Sequence, residues 1–427
     1  MERYTTLFIS LTAAILILEC LALVLIQWLK RDFQWLITSS DERPALNREK
    51  LQKFLGRGYE PVLGWERKPD TSREEPVRSV GEERKRFPTV TYHINKNKCR
   101  LNPGHEHLPV MISSYGDSFA YARHVNDNQT WQWYLSELTN SNVQNFGVGN
   151  YGLDQSLVRL KREFSVNRSK IVIMMVVPET IIRIVNIWKH YCEYGNTLGF
   201  KGRFVLDGQG LTWLENPINA TEKFNAYGKY LDWIQSHDYC YKNKFKRDQL
   251  RFPYCLRIIA NGKRNGPLLK ALVIKKIHKM FDGENETVLN RPWEIVLREN
   301  FRFSVSLYQN SEITELLYQI LMSFKQFVTE NGATPFLVMA PYLHEIDYIR
   351  GGRSYYQALL KKIDEQILTL DLGNAFLDQN DPASLFVSDF YGAHLSDKGN
   401  HLTADALYEF IQNNHGLNEN IAQAVNH

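Results

Sequence analysis

An uninterrupted apolar run near the amino terminus constrains this chain more than any other feature. The run, Leu7–Leu29, contains a single charged residue, Glu19. The hydrocarbon core of a bilayer is about 30 Å thick, and an apolar helix of about 20 residues crosses it. Such a helix satisfies all of its own backbone polar groups. We therefore predict that residues 1–29 form a transmembrane anchor through which the chain contacts the membrane.

Two other interpretations of this run are open from sequence alone. A cleaved signal peptide has a shorter apolar core and a small-x-small cleavage site, whereas Gln27, Trp28 and Leu29 end this run. The other alternative is the buried core helix of a soluble protein. The flanking charges of Lys30 and Arg31 favour a cytoplasmic body by the positive-inside rule, although so few charges decide orientation poorly.

The composition is that of a folded protein without a metal centre. Hydrophobic residues make up 44% and aromatic residues 12% of the 427 residues, so disorder over most of the chain is excluded. A net charge of +4 does not indicate nucleic acid as a partner. The five cysteines have no CxxC spacing, and we expect neither a metal site nor a cofactor. Four of them lie beyond the apolar run and would be able to pair in an oxidising compartment: Cys99, Cys192, Cys240 and Cys255.

Apolar runs alternate with helical patterns from about residue 110 onwards, which is typical of an α/β fold with a parallel sheet. The predicted strands are 110–116, 142–148, 170–177 and 334–341. The predicted helices are 130–140, 154–164, 313–332 and 400–414.

The rest of the chain divides around this pattern. Residues 30–107 are polar and rich in Arg, Glu and Pro, and we predict an amino-terminal extension or linker there. Residues 108–427 form the predicted catalytic domain, interrupted by an insertion at about 181–300. Within the insertion, residues 241–279 contain many Lys and Arg and a single acid, Asp248. This stretch is a solvated basic face, or a site for an anionic polysaccharide or lipid headgroup; no nucleic-acid module accompanies it.

The motif Ser114–Phe119, SYGDSF, follows the first predicted strand directly. A serine at the carboxyl end of a strand is where an α/β fold exposes a reactive group. Gly116 permits the tight turn, and a helix entered at Ser118 would offer free N–H groups to a developing oxyanion. Ser118 is therefore the candidate nucleophile. A turn with a helix-capping serine is the alternative.

Two further motifs follow. The stretch 145–155, NFGVGNYGLDQ, places Gly147, Gly149 and Gly152 in a loop that suits an oxyanion, or in a plain glycine-rich turn. The stretch 389–404, DFYGAHLSDKGNHLTA, runs into the last predicted helix. His394 is its candidate general base, because neutral imidazole accepts a serine proton near neutral pH.

These motifs resemble the sequence blocks of the SGNH, or GDSL-type, hydrolases over about 108–180 and 334–414. The resemblance implies a three-layer α/β/α, flavodoxin-like fold with Ser118 as nucleophile and His394 as base. It also implies an oxyanion hole from the amide of Ser118 and from Asn150, flanked by Gly149. The orienting acid of relatives lies three residues before the histidine; here Asp389, five before, is the nearest acid. The alternative is a two-member site with His394 oriented by a backbone carbonyl.

One block departs from the resemblance. Relatives carry an asparagine after the third strand, whose amide completes the oxyanion hole, and this chain has Pro178, Glu179 and Thr180 there. A carboxylate cannot donate a hydrogen bond, so the Thr180 hydroxyl or the backbone would have to serve.

The resulting hypothesis is a serine esterase or O-acyltransferase acting on ester-linked acyl groups, acetyl above all. Membrane-tethered relatives modify cell-surface polysaccharides, which implies an acylated carbohydrate as substrate, polysaccharide-assembly proteins as partners and an extracytoplasmic body on a single-pass anchor. The alternative is a catalytically weak binding or scaffold protein of a polysaccharide assembly.

Overall fold

Five parallel strands form the central sheet, in a computed structural model that describes residues 2–77, 89–281, 283–352, 354–387 and 393–414. The strands are β1 (Val110–Gly116), β2 (Asn142–Asn145), β3 (Ile171–Val176), β4 (Thr334–Met339) and β5 (Leu368–Asp371). Their order across the sheet is β2-β1-β3-β4-β5, and all neighbours are parallel. This is the flavodoxin-like order, and the predicted fold class is confirmed.

The helices account for most of the remaining regular structure. They are α1 (Glu2–Lys30), α2 (Arg48–Arg57), α3 (Trp131–Thr139), α4 (Leu153–Glu163), α5 (Leu231–His237), α6 (Tyr254–Ala260), α7 (Gly262–Met280), α8 (Glu286–Leu307), α9 (Ser311–Glu330), α10 (Leu343–Arg350), α11 (Gln357–Asp364), α12 (Leu372–Leu377) and α13 (Asp397–Asn413). Short antiparallel pairs join Thr71–Pro76 to Thr89–Ile94, Arg203–Asp207 to Gly210–Leu214, and Phe386–Val387 to His394–Leu395.

Both faces of the sheet are covered, which gives the three layers. Alternate residues of a strand point to opposite faces. In β3 the side chains of Ile171 and Ile173 join a core cluster with Leu135 of α3 and Leu407 of α13. Helices α4, α9 and α11 form the other packed group. All six residues of β3 are buried, as expected for a central strand with helices on both sides.

Contacts divide the chain into two compact units. Unit 1 comprises Met1–Lys53, Asn186–Phe200 and Ala220–Phe303, and unit 2 comprises Phe54–Val185, Lys201–Asn219 and Ser304–His427. The sheet belongs to unit 2. The sequence-based division is different in kind: it consists of an anchor (1–29), an extension (30–107) and a catalytic domain (108–427) with an insertion at about 181–300. Because it refers to domains and not to units defined by contacts, it stays a prediction.

Unit 1 is dominated by helices. Its first helix, α1, is long and apolar enough to cross a membrane, and most of its surface is exposed. A signal sequence would share these properties. The predicted insertion is helical through α7 and α8. All five cysteines are free thiols, and within unit 1 the buried thiols of Cys192 and Cys240 lie side by side. Burial raises the pKa of Cys240 well above its usual range, and Cys192 adds to the rise.

Candidate active site

Ser118 lies two residues beyond the end of β1, at the carboxyl edge of the sheet. The strand ends at Gly116, whose φ is +151°. A Cβ atom there would lie 2.4 Å from the carbonyl oxygen of Met175 in β3, so glycine is required by space as well as by conformation. The close approach of β1 and β3 thereby determines where the chain turns before Ser118.

The segment after Ser118 is a run of turns rather than the expected helix. Residues 118–124 form consecutive turns, in which the amide of Arg123 donates to the carbonyl of Ser118 at 3.0 Å. Ala122 and His124 adopt left-handed backbone, with φ of +54° and +75°. Non-glycine residues rarely adopt that conformation, and it interrupts a right-handed helix. The expected helix amino terminus is therefore absent from this segment, and the amide of Ser118 lies in a turn.

A buried arginine explains how these turns persist. Arg100 donates through Nη1 to the carbonyls of Tyr121 and Ala122, both at 2.7 Å, and through Nη2 to Val125 at 2.6 Å. Its Nε pairs with Asp127 at 2.8 Å, and its side chain is fully buried. The guanidinium thus takes up carbonyl groups that helix amides would otherwise bond. Sequence reasoning missed Arg100, because no motif surrounds it.

The carboxylate of Asp117 fixes the turn that carries Ser118. Its Oδ1 accepts from the amide of Phe119 at 2.9 Å, and its Oδ2 accepts from Nη1 of Arg183 at 3.1 Å. The same nitrogen of Arg183 donates to the carbonyl of Tyr151 at 3.0 Å. Arg183 therefore ties together the segments that follow β1, β2 and β3. In the sequence, only the position of Arg183 shortly after the third strand indicates that it lies near the site.

The two principal candidates meet in unit 2. Oγ of Ser118 lies 2.9 Å from Nε2 of His394. With the ring proton on Nδ1, the serine hydroxyl donates to Nε2, which is the geometry of a nucleophile and its base. Ser118 is 5% and His394 4% exposed, so little water surrounds the pair.

The residues after His394 anchor its short strand to α13. Ser396 caps α13 by accepting from the amide of Gly399 at 3.2 Å. A Cβ atom on Gly399 would lie 2.1 Å from the carbonyl of Leu385. The side-chain amide of Asn400 donates to the carbonyl of Ser396 at 2.9 Å, and its oxygen accepts from Trp131 of α3 at 3.1 Å. The HLSDKGN stretch therefore anchors the segment that carries the histidine to α13 and α3.

Three rings surround the imidazole of His394. The ring of His124 lies 4.8 Å away edge to face, that of Phe119 lies 5.5 Å away, and that of Tyr342 lies 6.3 Å away. Burial raises the pKa of Tyr342 far above its ordinary value, so its hydroxyl stays protonated. His124 and Tyr342 were not among the predicted site residues, since neither belongs to the motifs at 114–119, 145–155 or 389–404.

The glycine-rich loop lies against the turn of Ser118. A Cβ atom on Gly147 would be 2.2 Å from the amide of Tyr121, and the amide of Val148 donates to Gly116 at 3.1 Å. Asn150 adopts left-handed backbone, with a φ of +70°. Within the described residues, the amides of Ser118, Gly149 and Asn150 donate to no protein acceptor.

The structure describes the surroundings of Thr180 but not those of Asp389. The Thr180 hydroxyl donates to the carbonyl of Val177 at 2.8 Å, so its single hydrogen is engaged. Asp389 lies outside the described residues. The roles of both, and those of Ser118, Asn150, Gly149 and His394, stay predictions about chemistry.

A buried carboxylate links the segments that follow β3 and β4. Glu345 is fully buried and accepts from the amide of Tyr342 at 2.6 Å, from the amide of Glu179 at 3.1 Å and from the hydroxyl of Tyr355. Burial raises the pKa of Glu345 to about 8, and the Glu179 carboxylate adds to the rise. Glu179 also pairs with Nε2 of His344 at 2.5 Å. Burial disfavours the charged form of His344, but Glu179 outweighs it and the pKa of His344 is raised.

These shifts predict that the protein loses stability as the pH rises. A carboxyl group whose pKa is raised in the folded state contributes its full stabilisation at a pH below the pKa of the unfolded state. That contribution is lost as the pH rises through the pKa of the folded state. The free energy of unfolding should therefore fall between about pH 4.5 and about pH 8. Glu345→Gln cannot titrate and should make the fall shallower in urea unfolding at a series of pH values. Glu315→Gln, an exposed acid paired with Lys362, should leave the slope unchanged; equal slopes in all three proteins would contradict the prediction.

No protein-family model matches the chain, and no curated protein matches it. Among solved structures, the chain is similar to that of a protein assigned to a lipolytic G-D-S-L family, from Desulfitobacterium hafniense DCB-2. The identity is 12%, the match covers 70% of this chain and 99% of that one, and the TM-score is 0.32.

Proposed function

We propose that this chain is a membrane-anchored serine esterase or O-acyltransferase of the SGNH type, acting on ester-linked acyl groups. The contact of 2.9 Å between Ser118 Oγ and His394 Nε2 carries the proposal. It supports the hypothesis because the two residues lie 276 positions apart and come from separate motifs, and they meet at the carboxyl edge of a parallel sheet.

In the proposed reaction Ser118 attacks the ester carbonyl while His394 takes its proton. The unengaged amides of Ser118, Gly149 and Asn150 would hold the oxyanion, replacing the asparagine that relatives carry after the third strand. His394 returns the proton to the leaving alcohol, which leaves an acyl-enzyme. Water or a sugar hydroxyl then attacks the acyl group, with His394 again as base, and Ser118 regains its proton.

The substrate class follows from the resemblance to membrane-tethered relatives. We propose acetyl groups of a cell-surface polysaccharide, with the body of the protein outside the cytoplasm. Assay of the purified full chain with an aryl acetate and with an O-acetylated polysaccharide, by acetate release, tests this. Turnover of both substrates supports the proposal. Failure to turn over either substrate contradicts it.

A catalytically weak scaffold protein is the second candidate. The engaged Thr180 hydroxyl and the Glu179–His344 pair favour it, because both occupy the region where relatives place an oxyanion donor. Binding of the acetylated polysaccharide without acetate release would support the scaffold and contradict the esterase.

Asp389 is proposed to orient His394 and to stabilise its charged form. Asp389→Asn should lower aryl acetate turnover by about 10²-fold or more, as removal of an orienting acid does in serine sites. Asp405→Asn, an exposed acid beside His401, is the matched control and should leave turnover unchanged. Full activity of Asp389→Asn would favour the two-member site, with His394 oriented by a backbone carbonyl.

The proposed orientation predicts protease access. In intact cells, protease added from outside should degrade the body, while the anchor stays with the membrane. The measurement is immunodetection of fragments before and after lysis. Complete protection until lysis would contradict the outward orientation and favour the cytoplasmic body that Lys30 and Arg31 suggest.

A further inference from the structure

The single acid of α1 is engaged by another element of unit 1. Glu19 is buried, although most of the apolar residues around it in α1 are exposed. Its carboxylate accepts from the amide of Tyr254 at 2.5 Å and from that of Cys255 at 3.0 Å. These are the first two amides of α6, which the helix itself cannot satisfy. Glu19 therefore serves as the cap of a helix more than two hundred residues away in the chain.

The position of Glu19 along α1 shows how far this contact lies from the polar end of the helix. α1 ends at Lys30, which donates to Asp41 at 2.8 Å and so belongs to a polar environment. Lys30 lies eleven positions beyond Glu19, which corresponds to about 16 Å at the helical rise. If α1 crosses a hydrocarbon core of about 30 Å, as proposed above, Glu19 lies near its centre.

The chain reaches Glu19 and returns within a dozen residues. Leu250 donates through its amide to the carbonyl of Ile37 at 2.8 Å, beyond the polar end of α1. Tyr254 lies at Glu19, and α6 leads back to Asn261, whose side chain donates to Asp248 at 3.0 Å. Asp248 precedes Leu250 by two residues, so residues 251–260 leave and rejoin the same region. We call these residues the 251–260 hairpin.

The side chains of the hairpin suit lipid rather than water. Phe252, Leu256 and Ile259 are 65%, 63% and 73% exposed. A cluster of large exposed apolar groups is unfavourable in water and marks an interaction surface. Arg251 and Arg257 are partly buried, and the long apolar stem of arginine lets its charge reach a polar boundary.

From this juxtaposition we propose that the 251–260 hairpin is a re-entrant membrane element, contacting lipid acyl chains through Phe252, Leu256 and Ile259 and capped inside the bilayer by Glu19. Backbone groups in hydrocarbon must find protein partners. The Glu19 side chain supplies oxygen acceptors for two amides of α6. Burying an unpaired acidic side chain in a membrane costs free energy, and the two amides of α6 provide the partners that Glu19 needs. The proposal rests on α1 lying in the membrane and is independent of the esterase chemistry.

Spin labelling of the full chain in phosphatidylcholine–phosphatidylglycerol vesicles tests the proposal. Cys20 and Cys255 are replaced with serine, and single labels are attached at Leu256→Cys, at Leu21→Cys in α1 and at Val166→Cys. Leu21 is the lipid reference, and Val166 is an exposed apolar residue of unit 2. The label at position 256 should match that at 21, colliding more with oxygen than with a water-soluble nickel complex, and the label at 166 should show the reverse. Water-like behaviour at 256, or at both 256 and 21, overturns the proposal.

Substitution of Glu19 tests the cap separately. Glu19→Gln keeps a carbonyl acceptor and should keep the label at 256 in lipid. Glu19→Leu leaves two amides without an acceptor and should reverse the ratio of oxygen to nickel collisions at 256 while that at 21 is unchanged. An unchanged ratio in Glu19→Leu overturns the capping role. Labelling of Ser118 by a fluorophosphonate, measured in the same samples, reports the proposed esterase site independently.

Discussion

Ser118→Ala is expected to lower turnover of an aryl acetate by at least about 10³-fold, because loss of the proposed nucleophile leaves only binding and oxyanion stabilisation. It should also abolish covalent labelling by a fluorophosphonate. The substitution removes one oxygen from a side chain whose hydroxyl contacts Nε2 of His394, and the backbone turn is held by Asp117 and Arg183 instead. The fold should therefore persist. Turnover, labelling stoichiometry and mass spectrometry of the labelled peptide provide the measurement.

The matched control is Ser114→Ala, four residues earlier. The hydroxyl of Ser114 donates to the carbonyl of Gln144 at 2.9 Å within the sheet. Its loss should cost about 1 kcal/mol of stability and leave the labelling stoichiometry intact. Full labelling of the Ser118→Ala protein would place the nucleophile elsewhere.

Arg100→Met is expected to destabilise unit 2 by about 3–5 kcal/mol, as the loss of one partner of a buried ion pair does. Three carbonyl groups and the Asp127 carboxylate would lose a donor at once. Because these carbonyls belong to the turns that follow Ser118, fluorophosphonate labelling should slow as well. Hydrogen exchange of peptides covering 110–130, together with the urea midpoint, measures the effect.

Arg350→Ala is the control for arginine loss. Arg350 is exposed and lies 3.7 Å from Asp347 in the same helix, so its removal should cost well under 1 kcal/mol. Equal effects of the two substitutions on exchange in 110–130 would contradict the role assigned to Arg100.

The strands that sequence predicts well are those buried on both faces. β3 is a continuous apolar run and β1 and β4 are mostly buried. The predicted bounds of these three strands differ from the observed ones by two residues at most. β2 ends at Asn145, three residues before its predicted end, because the glycine-rich loop starts there. β5 was not predicted: it is a four-residue edge strand, Leu368–Asp371, without a long apolar run.

The helices α7 and α8 were missed for a different reason. Pro267 and Pro292 lie within them, and closely spaced lysines and arginines obscure the apolar face of α7. In the candidate site, Ser118 and His394 could be singled out from sequence because local motifs surround them, and the structure brings the two side chains into contact. Arg100, Arg183 and Glu345 each contact a group more than 20 residues away in sequence, and such contacts leave no local pattern.

If Ser118 and His394 act as nucleophile and base, as proposed, their separation by 276 residues also determines when the protein becomes reactive. Ribosomes add about 5–20 residues per second, so roughly 10–60 s pass between synthesis of the two residues. During that interval β4 and β5 are also incomplete, and the serine has no base. The Ser118 hydroxyl of a nascent chain would therefore be unreactive towards esters. It would become reactive only after α13, which is synthesised late, had packed onto the domain.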